Sequence, residues 1–148
     1  MSRCVRSGSE TPRRVWPNPP SGERRRVGYF DEVSETYDLF QQGRTHLRKG
    51  RAAQATVALE KAKRREPDKA SIREALGIAY FRIQRWEEAE REFRAMLELS
   101  PTDDYAHYAL GRCLEKRGRE HEANGHYKLA RSLSPGSDHY AARIRDLG

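Results

Sequence analysis

Prolines recur at an interval of 34 residues along this chain, and several other residue types keep the same interval. A unit of this length cannot bury its apolar face alone, so it is stabilised by stacking on its neighbours. The interval therefore predicts a stack of similar units, a solenoid without a single central core. The rows in register are Pro67, Pro101 and Pro135; Gly43, Gly77 and Gly111; Ala55, Ala89 and Ala123; Leu59, Phe93 and Tyr127; and Ala62, Met96 and Ala130.

Two amphipathic helices are predicted in each unit. In the middle unit the second helix begins near Trp86 and ends before Pro101, whose ring cannot continue a helix. We expect the first unit to be helical at about 31–49 and 52–65, and a last helix at 137–147 to cover the open end of the stack. This gives seven helices, no strands and an all-α fold. The i, i+3, i+4, i+7 spacing is clearest in Ile72, Ala75, Leu76, Ala79, Tyr80 and Ile83. The residues expected to cap the helices that follow the prolines are Asp68, Thr102 and Ser137.

Three glycines lie inside predicted helices, where glycine is less favourable than alanine by about 1 kcal/mol. Such a cost is tolerated where two helices cross closely. We therefore predict that the glycine row packs against the alanine row of the second helices, Ala55, Ala89 and Ala123.

Together these positions resemble the tetratricopeptide repeat. Counted from Thr36, Ala70 and Asp104, the units carry the family's glycine at position eight, small residue at twenty and proline at thirty-two. The pattern departs from the family at Met96, which stands for alanine, and at position four, where tryptophan is missing. The residues at position four are Leu39, Arg73 and His107. The resemblance implies an α-solenoid with repeats at 36–69, 70–103 and 104–137 and a capping helix at 138–147, together a domain at 29–148.

The resemblance also implies a concave groove, lined by the first helix of each pair, that holds a peptide. Aromatic residues next to arginines are typical of binding hot spots, and arginine binds a carboxylate through two parallel hydrogen bonds. We therefore predict a partner protein or peptide with an acidic and apolar segment. The candidate groove residues are Tyr37, Phe40, Arg44, Ile78, Phe81, Arg82, Tyr105, Tyr108, Arg112 and Arg143, with Glu74 on the same face.

A structural role is the alternative for the aromatic residues of this set. Tyr37 and Phe40 can pack under the N-terminal segment, and Tyr105 and Tyr108 against the capping helix. Family members that bind chaperone C-termini carry lysine and asparagine at groove positions five and nine. The first and third units of this chain carry an aromatic residue and an arginine there. The standard carboxylate clamp is therefore not expected.

No group of residues in the sequence indicates catalysis. His121 and His126 lie five residues apart, whereas two histidines on one helix bind a metal together at i, i+4. We expect both to be exposed helix residues. No other cluster has metal-ligand spacing, and no glycine-rich loop of the phosphate-binding type occurs. The prediction is a non-enzymatic scaffold or adaptor for protein–protein interaction, without cofactor or metal. The ends of the stack are candidate surfaces for self-association.

The net charge of +7 is concentrated at the N-terminus. Residues 1–28 contain seven arginines and two glutamates, a charge of +5, which leaves +2 for the rest of the chain. Because this segment is rich in proline and poor in apolar residues, we predict a disordered basic leader. It is either a functional arm or the product of a translation start assigned too early, with Val27 as the native start. The alternative function is nucleic-acid binding through this arm and the basic groove residues, which would depend steeply on salt.

The cysteines indicate a reducing compartment. Cys4 and Cys113 do not make a disulfide framework, and Cys113 is expected to be a small buried residue. We therefore expect a cytoplasmic location. No apolar run approaches the roughly twenty residues of a membrane span, and the N-terminus lacks the apolar core of a secretory signal. No membrane association is predicted.

Overall fold

Helices follow one another along almost the whole described chain. The computed structural model describes the backbone of residues 29–148 and the side chains of residues 33–148. Seven α-helices and no strands occur in this part, which confirms the prediction of an all-α fold. The predictions for residues 1–28 concern a segment outside this range. The helices are α1 Tyr29–Arg48, α2 Ala52–Arg65, α3 Ala70–Arg82, α4 Trp86–Leu99, α5 Asp104–Lys116, α6 Glu120–Leu133 and α7 Asp138–Ala141.

Consecutive helices pack on one another, so the helix pairs stack in chain order. α2 contacts α3, α4 contacts α5, and α7 contacts α6 at the end of the stack. Residues 34–148 form one compact unit, with an apolar core that runs through the three pairs. The core is built from the repeating rows of the sequence, and the result is an α-solenoid. Its largest fully buried side chains include Leu59, Phe93, Tyr127, Leu76 and Leu110.

The turn inside each pair has the same backbone conformation in all three units. Gly50, Gln84 and Gly118 have φ values of 74°, 65° and 78°, in the left-handed region. In each unit the next residue donates its backbone N–H to a carbonyl five residues earlier, at 2.8 to 2.9 Å. This hydrogen bond satisfies a carbonyl at the end of the first helix and lets the second helix fold back onto it.

The glycines inside the first helices make room for a large side chain of the paired helix. A Cβ atom on Gly77 would lie 2.6 Å from Cζ of Phe93, and the corresponding distances in the first and third units are 2.4 and 2.5 Å. The predicted close crossing is therefore present, but its partner is not the alanine row, which lies buried one turn earlier on the second helices. Instead, a large side chain of each second helix packs against the glycine of the first helix. The three pairs are Gly43 with Leu59, Gly77 with Phe93, and Gly111 with Tyr127.

Helix capping differs from the prediction. α5 begins after Asp103, whose Oδ1 accepts a hydrogen bond from a backbone N–H three residues later at 3.0 Å. Thr102, the predicted cap, lies one residue too early for this role. α3 begins after Lys69, not Asp68, and its side chain makes no capping hydrogen bond. Ser137 does hold the cap position of α7, also without a side-chain bond.

The last helix is shorter than predicted. The capping helix was expected to span 138–147, but α7 ends at Ala141. Asn124 of α6 explains the difference, because its side-chain amide pairs with the backbone of Arg145. Nδ2 of Asn124 donates to the carbonyl oxygen of Arg145, and Oδ1 accepts from the N–H of Arg145, both at 2.8 Å. The second bond occupies the N–H of Arg145, which in a helix continuing to residue 147 would donate to the carbonyl of Ala141.

Candidate functional site

Six of the ten predicted groove residues meet around one pocket between α3 and α5. The pocket has a volume of about 130 Å³. Helical spacing of three and four residues puts the contributing side chains on one face of each helix. Ile78, Phe81 and Arg82 come from α3, and Tyr105, Tyr108 and Arg112 come from α5.

Two further lining residues, Phe93 of α4 and Ala109 of α5, were not predicted. Phe93 belongs to the row that the repeat pattern assigns to the core, and it is indeed buried. Since Gly77 has no side chain, the ring of Phe93 packs directly against α3 at this position, and it also forms part of the pocket wall. The glycine row is the signal in the sequence that could have placed Phe93 there.

Arg112 is the half-buried cation of the pocket, and aromatic rings hold it in place. Its guanidinium carbon lies 5.3 Å from the ring centre of Phe81 and 6.0 Å from that of Tyr108. Nη1 of Arg112 donates to the hydroxyl oxygen of Tyr108 at 3.2 Å. Its Nε is buried and has no hydrogen-bond acceptor. Within residues 33–148 no carboxylate pairs with Arg112, so its charge is available to a ligand.

Tyr108, one of the predicted groove residues, is buried. Only 6% of Tyr108 is exposed. Its ring centre lies 4.7 Å from that of His139 and 5.2 Å from that of Tyr140, both in α7. The alternative role, packing against the capping helix, therefore applies to Tyr108. Tyr108 therefore belongs to the core and also lines the pocket.

Tyr105 and Glu74 form the acidic side of the same groove. Tyr105 is half-buried, with its ring centre 6.4 Å from that of Phe93. Burial raises the pKa of Tyr105, and the nearby Glu74 raises it further. The pKa of Glu74 is itself raised, first by burial and then by the charge of Asp103. Glu74 has no ion pair within residues 33–148, so a half-buried carboxylate also faces this surface without a cation.

The three predicted residues of α1 lie outside the pocket. Tyr37 is 59% exposed, and Phe40 is half-buried against the core. Arg44 is exposed, with its guanidinium carbon 5.6 Å from the ring centre of Phe40. α1 thus repeats the i, i+4 stacking of an arginine on an aromatic ring that Arg112 shows with Tyr108.

Arg143 does not line the pocket, in contrast to the prediction. Its Nη1 donates to Glu115 at 3.3 Å, and Arg145 pairs with the same carboxylate at 3.3 Å. Glu115 also accepts a hydrogen bond from the hydroxyl of Tyr127 at 3.1 Å. Because the segment after α7 turns back over α6, Arg143 fixes that segment to α5 and its charge is neutralised.

The histidines of α6 differ from each other. His121 is exposed, as predicted, but His126 is half-buried in contact with His107 of α5. The expectation that both are exposed is therefore wrong for His126. Within the part of the chain that the structure describes, no group of three or more histidine, cysteine or acidic residues could hold a metal ion. Cys113 is buried, and burial raises the pKa of its thiol to about 12, which keeps it in the unreactive thiol form.

Comparison with known proteins agrees with this architecture. Residues 40–104 match the family model of the tetratricopeptide repeat. The first TPR of Spaghetti (RPAP3), bound to the HSP90 peptide SRMEEVD, has a TM-score of 0.72 at 19% identity, over 76% of this chain and 89% of that one. The crystal structure of MamA has a TM-score of 0.72 at 20% identity, over 86% of this chain and 82% of that one. At such identities these two structures share the fold.

One curated relative is similar over a shorter stretch. The protein O-mannosyl-transferase Tmtc2 of Drosophila melanogaster is 41% identical over 61 residues, 40% of this chain. The present chain spans only 6% of the length of that relative. No helix within residues 29–148 combines the length and the hydropathy that crossing a membrane requires.

Proposed function

Because this chain belongs to the tetratricopeptide repeat family, we propose that it is a non-catalytic scaffold that binds a peptide segment of a partner protein on the face formed by α1, α3 and α5. The observation that carries the proposal is the pocket between α3 and α5. Its walls are mainly apolar and aromatic, and it contains two arginines without a carboxylate partner within residues 33–148. Arg82 is exposed and donates to the carbonyl oxygen of Leu47, whereas Arg112 is half-buried. Ligand sites typically combine such apolar walls with a few polar groups that fix orientation.

The likeness to solved structures supports the same mode of binding. The first TPR of Spaghetti binds an HSP90 peptide, and it shares its fold with this chain. The groove residues differ, since Tyr108 and Arg112 stand where chaperone-binding members carry lysine and asparagine. We therefore propose peptide binding for this chain without proposing that peptide as its ligand. The absence of catalysis and the cytoplasmic location remain parts of the proposal, and the free, buried thiol of Cys113 is consistent with a reducing compartment.

The nucleic-acid alternative has less support from the described residues. Many of their arginines are paired with carboxylates and are not available to phosphates. Arg73 pairs with Glu92, and Glu90 is shared by Arg94, Arg117 and Arg119. The arginine-rich segment on which the alternative also depends lies outside residues 29–148.

Selection of peptides from a random library displayed on phage tests the proposal. We expect selected peptides to lose at least tenfold in affinity for Ile78→Arg, which places a long charged side chain in the pocket. Val57→Arg is the matched control, because Val57 is an exposed apolar residue of α2, 59% accessible. Fluorescence anisotropy with both variants and the unmodified protein gives the three affinities. Equal losses for the two variants, or a library that yields no binders, would refute groove binding.

A further inference from the structure

The pocket between α3 and α5 has room for one side chain and not for a larger ligand. Drug-sized ligands and cofactors occupy pockets of roughly 300–1,000 Å³, whereas an apolar cavity of about 150 Å³ binds benzene. The volume here is about 130 Å³. The walls that define it are Ile78, Phe81, Phe93 and Ala109. A single aliphatic side chain, such as that of leucine, matches both the size and the apolar character of these walls.

Arg112 differs from the other half-buried arginines of the described chain. Arg73 donates to Glu92 at 2.9 Å, and Arg94 donates to Glu90 at 2.9 Å. Arg112 has only the phenolic oxygen of Tyr108 as a side-chain acceptor, and its buried Nε has none. A carboxylate beside the pocket would give the guanidinium of Arg112 the anionic partner that it lacks.

A second arginine in the same register lies on α1. Arg44 lies over the ring of Phe40, four residues earlier on its helix, as Arg112 lies over Tyr108, and within residues 33–148 it has no ion pair. α1 and α5 are separated by α3, and packed helices lie roughly 8–10 Å apart, so the two arginines are roughly 16–20 Å apart. An extended peptide covers about 3.3 Å per residue, so five or six residues span that distance.

We propose, on the basis of the proposed peptide-binding function, that the ligand is an internal acidic segment with one aliphatic anchor. The anchor side chain fills the pocket, and an acidic side chain two residues away, on the same face of the extended peptide, binds Arg112. A second acidic side chain, about six residues from the first and also on that face, binds Arg44. Glu74, one turn before Ile78 on α3, is a half-buried carboxylate without an ion pair within residues 33–148, so it disfavours a further acidic group of the ligand close to it.

Four synthetic peptides test this pattern. The reference probe is a fluorescein-labelled, C-terminally amidated heptapeptide, Asp-Ser-Gly-Ser-Leu-Ser-Glu, in which Asp, Leu and Glu share one face of the extended chain. Its sister peptides replace Leu by Ala, Glu by Gln, or Asp by Asn. With the unmodified protein at low salt, we expect at least tenfold weaker binding for the Ala peptide and at least fivefold for the Gln peptide. We expect about threefold for the Asn peptide, because Arg44 is exposed and its interaction is screened. Equal affinity of the reference and the Gln peptide would overturn the role of Arg112.

Protein variants assign each acidic group to its arginine. In Arg112→Gln the difference between the reference and Gln peptides should fall below twofold, and in Arg44→Gln the difference between the reference and Asn peptides should disappear. Arg91→Gln on α4, which removes an exposed cation paired with Glu87, should change neither. Circular dichroism checks that each variant is folded. If the peptide differences persist in the arginine variants, the assignment is wrong, even where all variants fold.

Two outcomes separate this inference from the proposed function. If selected peptides bind at the pocket, as Ile78→Arg reports, but the reference peptide does not bind, the scaffold function stands and the acidic pattern is refuted. If neither binds, both are refuted. A twelve-residue oligo-dT that displaces the reference peptide at equal concentration would identify a general polyanion site and would also overturn the inference.

Discussion

The Nδ1 atoms of His107 on α5 and His126 on α6 lie 3.1 Å apart, so the two rings are hydrogen-bonded across the helix pair. Nε2 of His107 lies 2.9 Å from the carbonyl oxygen of Pro101 and must donate to it, since a carbonyl oxygen only accepts. In the neutral pair Nδ1 of His107 is therefore the acceptor, and His126 supplies the proton. Because only one proton fits between the two nitrogens, double protonation breaks this contact.

Acid is expected to destabilise the protein through this pair. Burial lowers the pKa of His126, and His107 and Arg94 lower it further, against smaller opposite effects of Glu122 and Glu90. The unfolded chain, in which histidine has its ordinary pKa of about 6.5, binds this proton more readily than the folded protein. The free energy of unfolding should therefore fall as the pH drops below about 6.5. Urea unfolding midpoints at pH 7.5, 6.5 and 5.5 measure this fall.

A pair of variants isolates the contribution of His126. His126→Gln keeps a donor towards His107 and removes the titration, so its loss of stability between pH 7.5 and 5.5 should be smaller than in the unmodified protein. His121→Gln, at an exposed position on the same helix, should leave the pH dependence unchanged. An identical pH dependence in all three proteins would show that the histidine contact does not control acid stability.

Gly77→Ala should destabilise the fold although alanine is the better helix former. The added Cβ would lie 2.6 Å from the ring of Phe93, and the ring must move within a packed core. Overpacking of this kind costs about 1–3 kcal/mol, more than the gain of about 1 kcal/mol in helix propensity. Gly125→Ala on α6 is the control, because a Cβ there meets nothing within 4 Å, and it should stabilise by about 1 kcal/mol. Thermal unfolding of both variants gives the sign, and a stabilising Gly77→Ala would disprove the close crossing.

Gln84→Gly should stabilise the protein at the turn between α3 and α4. Gln84 has a φ of 65°, where a residue with a side chain costs roughly 1–2 kcal/mol, and the other two units have glycine there. Glycine loses more conformational entropy on folding, and this cost offsets about 0.4–1 kcal/mol of the gain. The expected net gain in the free energy of unfolding is about 0.5–1 kcal/mol. Gly118→Ala, at the same position of the third unit, should lose about 1 kcal/mol, and urea unfolding of both variants tests the pair.

The sequence predicted the fold well because each repeating row reports a contact that is made within a unit or between neighbouring units. The prolines marked the ends of helices, and the glycines marked the crossings. The alanine row was the wrong partner for the glycines, since the pattern shows which residues are small but not how far Phe93 or Tyr127 reaches. The short α7 was also missed, because its end depends on the pairing of Asn124 with a backbone 21 residues further along the chain.

The candidate site was predicted only in part for a similar reason. Helical spacing brought the residues of α3 and α5 to one face, so Ile78, Phe81 and Arg112 were found together. Tyr108 is buried because α7 packs on it, and Arg143 lies away from the pocket because it pairs with Glu115. Both are tertiary contacts. Periodicity within one helix contains no information about them.

Glu90→Gln should destabilise the stack because Glu90 joins two consecutive helix pairs. Only 6% of Glu90 is exposed. Its carboxylate pairs with Arg94 of its own helix and with Arg117 and Arg119 in the turn between α5 and α6. Burial alone would raise the pKa of Glu90, but the hydrogen bonds from Arg117 and Arg94 outweigh it and lower the pKa. The amide of glutamine keeps the shape and leaves three arginines without their shared anion. Since these arginines are partly exposed, the expected loss is about 1–3 kcal/mol, below that of a fully buried pair.

Glu87→Gln is the matched control for this network, on the exposed face of the same helix. Its side chain is 62% accessible and pairs only with Arg91 at 3.0 Å. Exposed pairs of this kind contribute about 0–1 kcal/mol, so the loss should stay below about 0.5 kcal/mol. Guanidinium chloride is unsuitable for the comparison, because its own ions screen both pairs. Urea unfolding at low salt keeps the difference measurable, and a loss for Glu90→Gln no larger than that for Glu87→Gln would show that the buried carboxylate does not hold the pairs together.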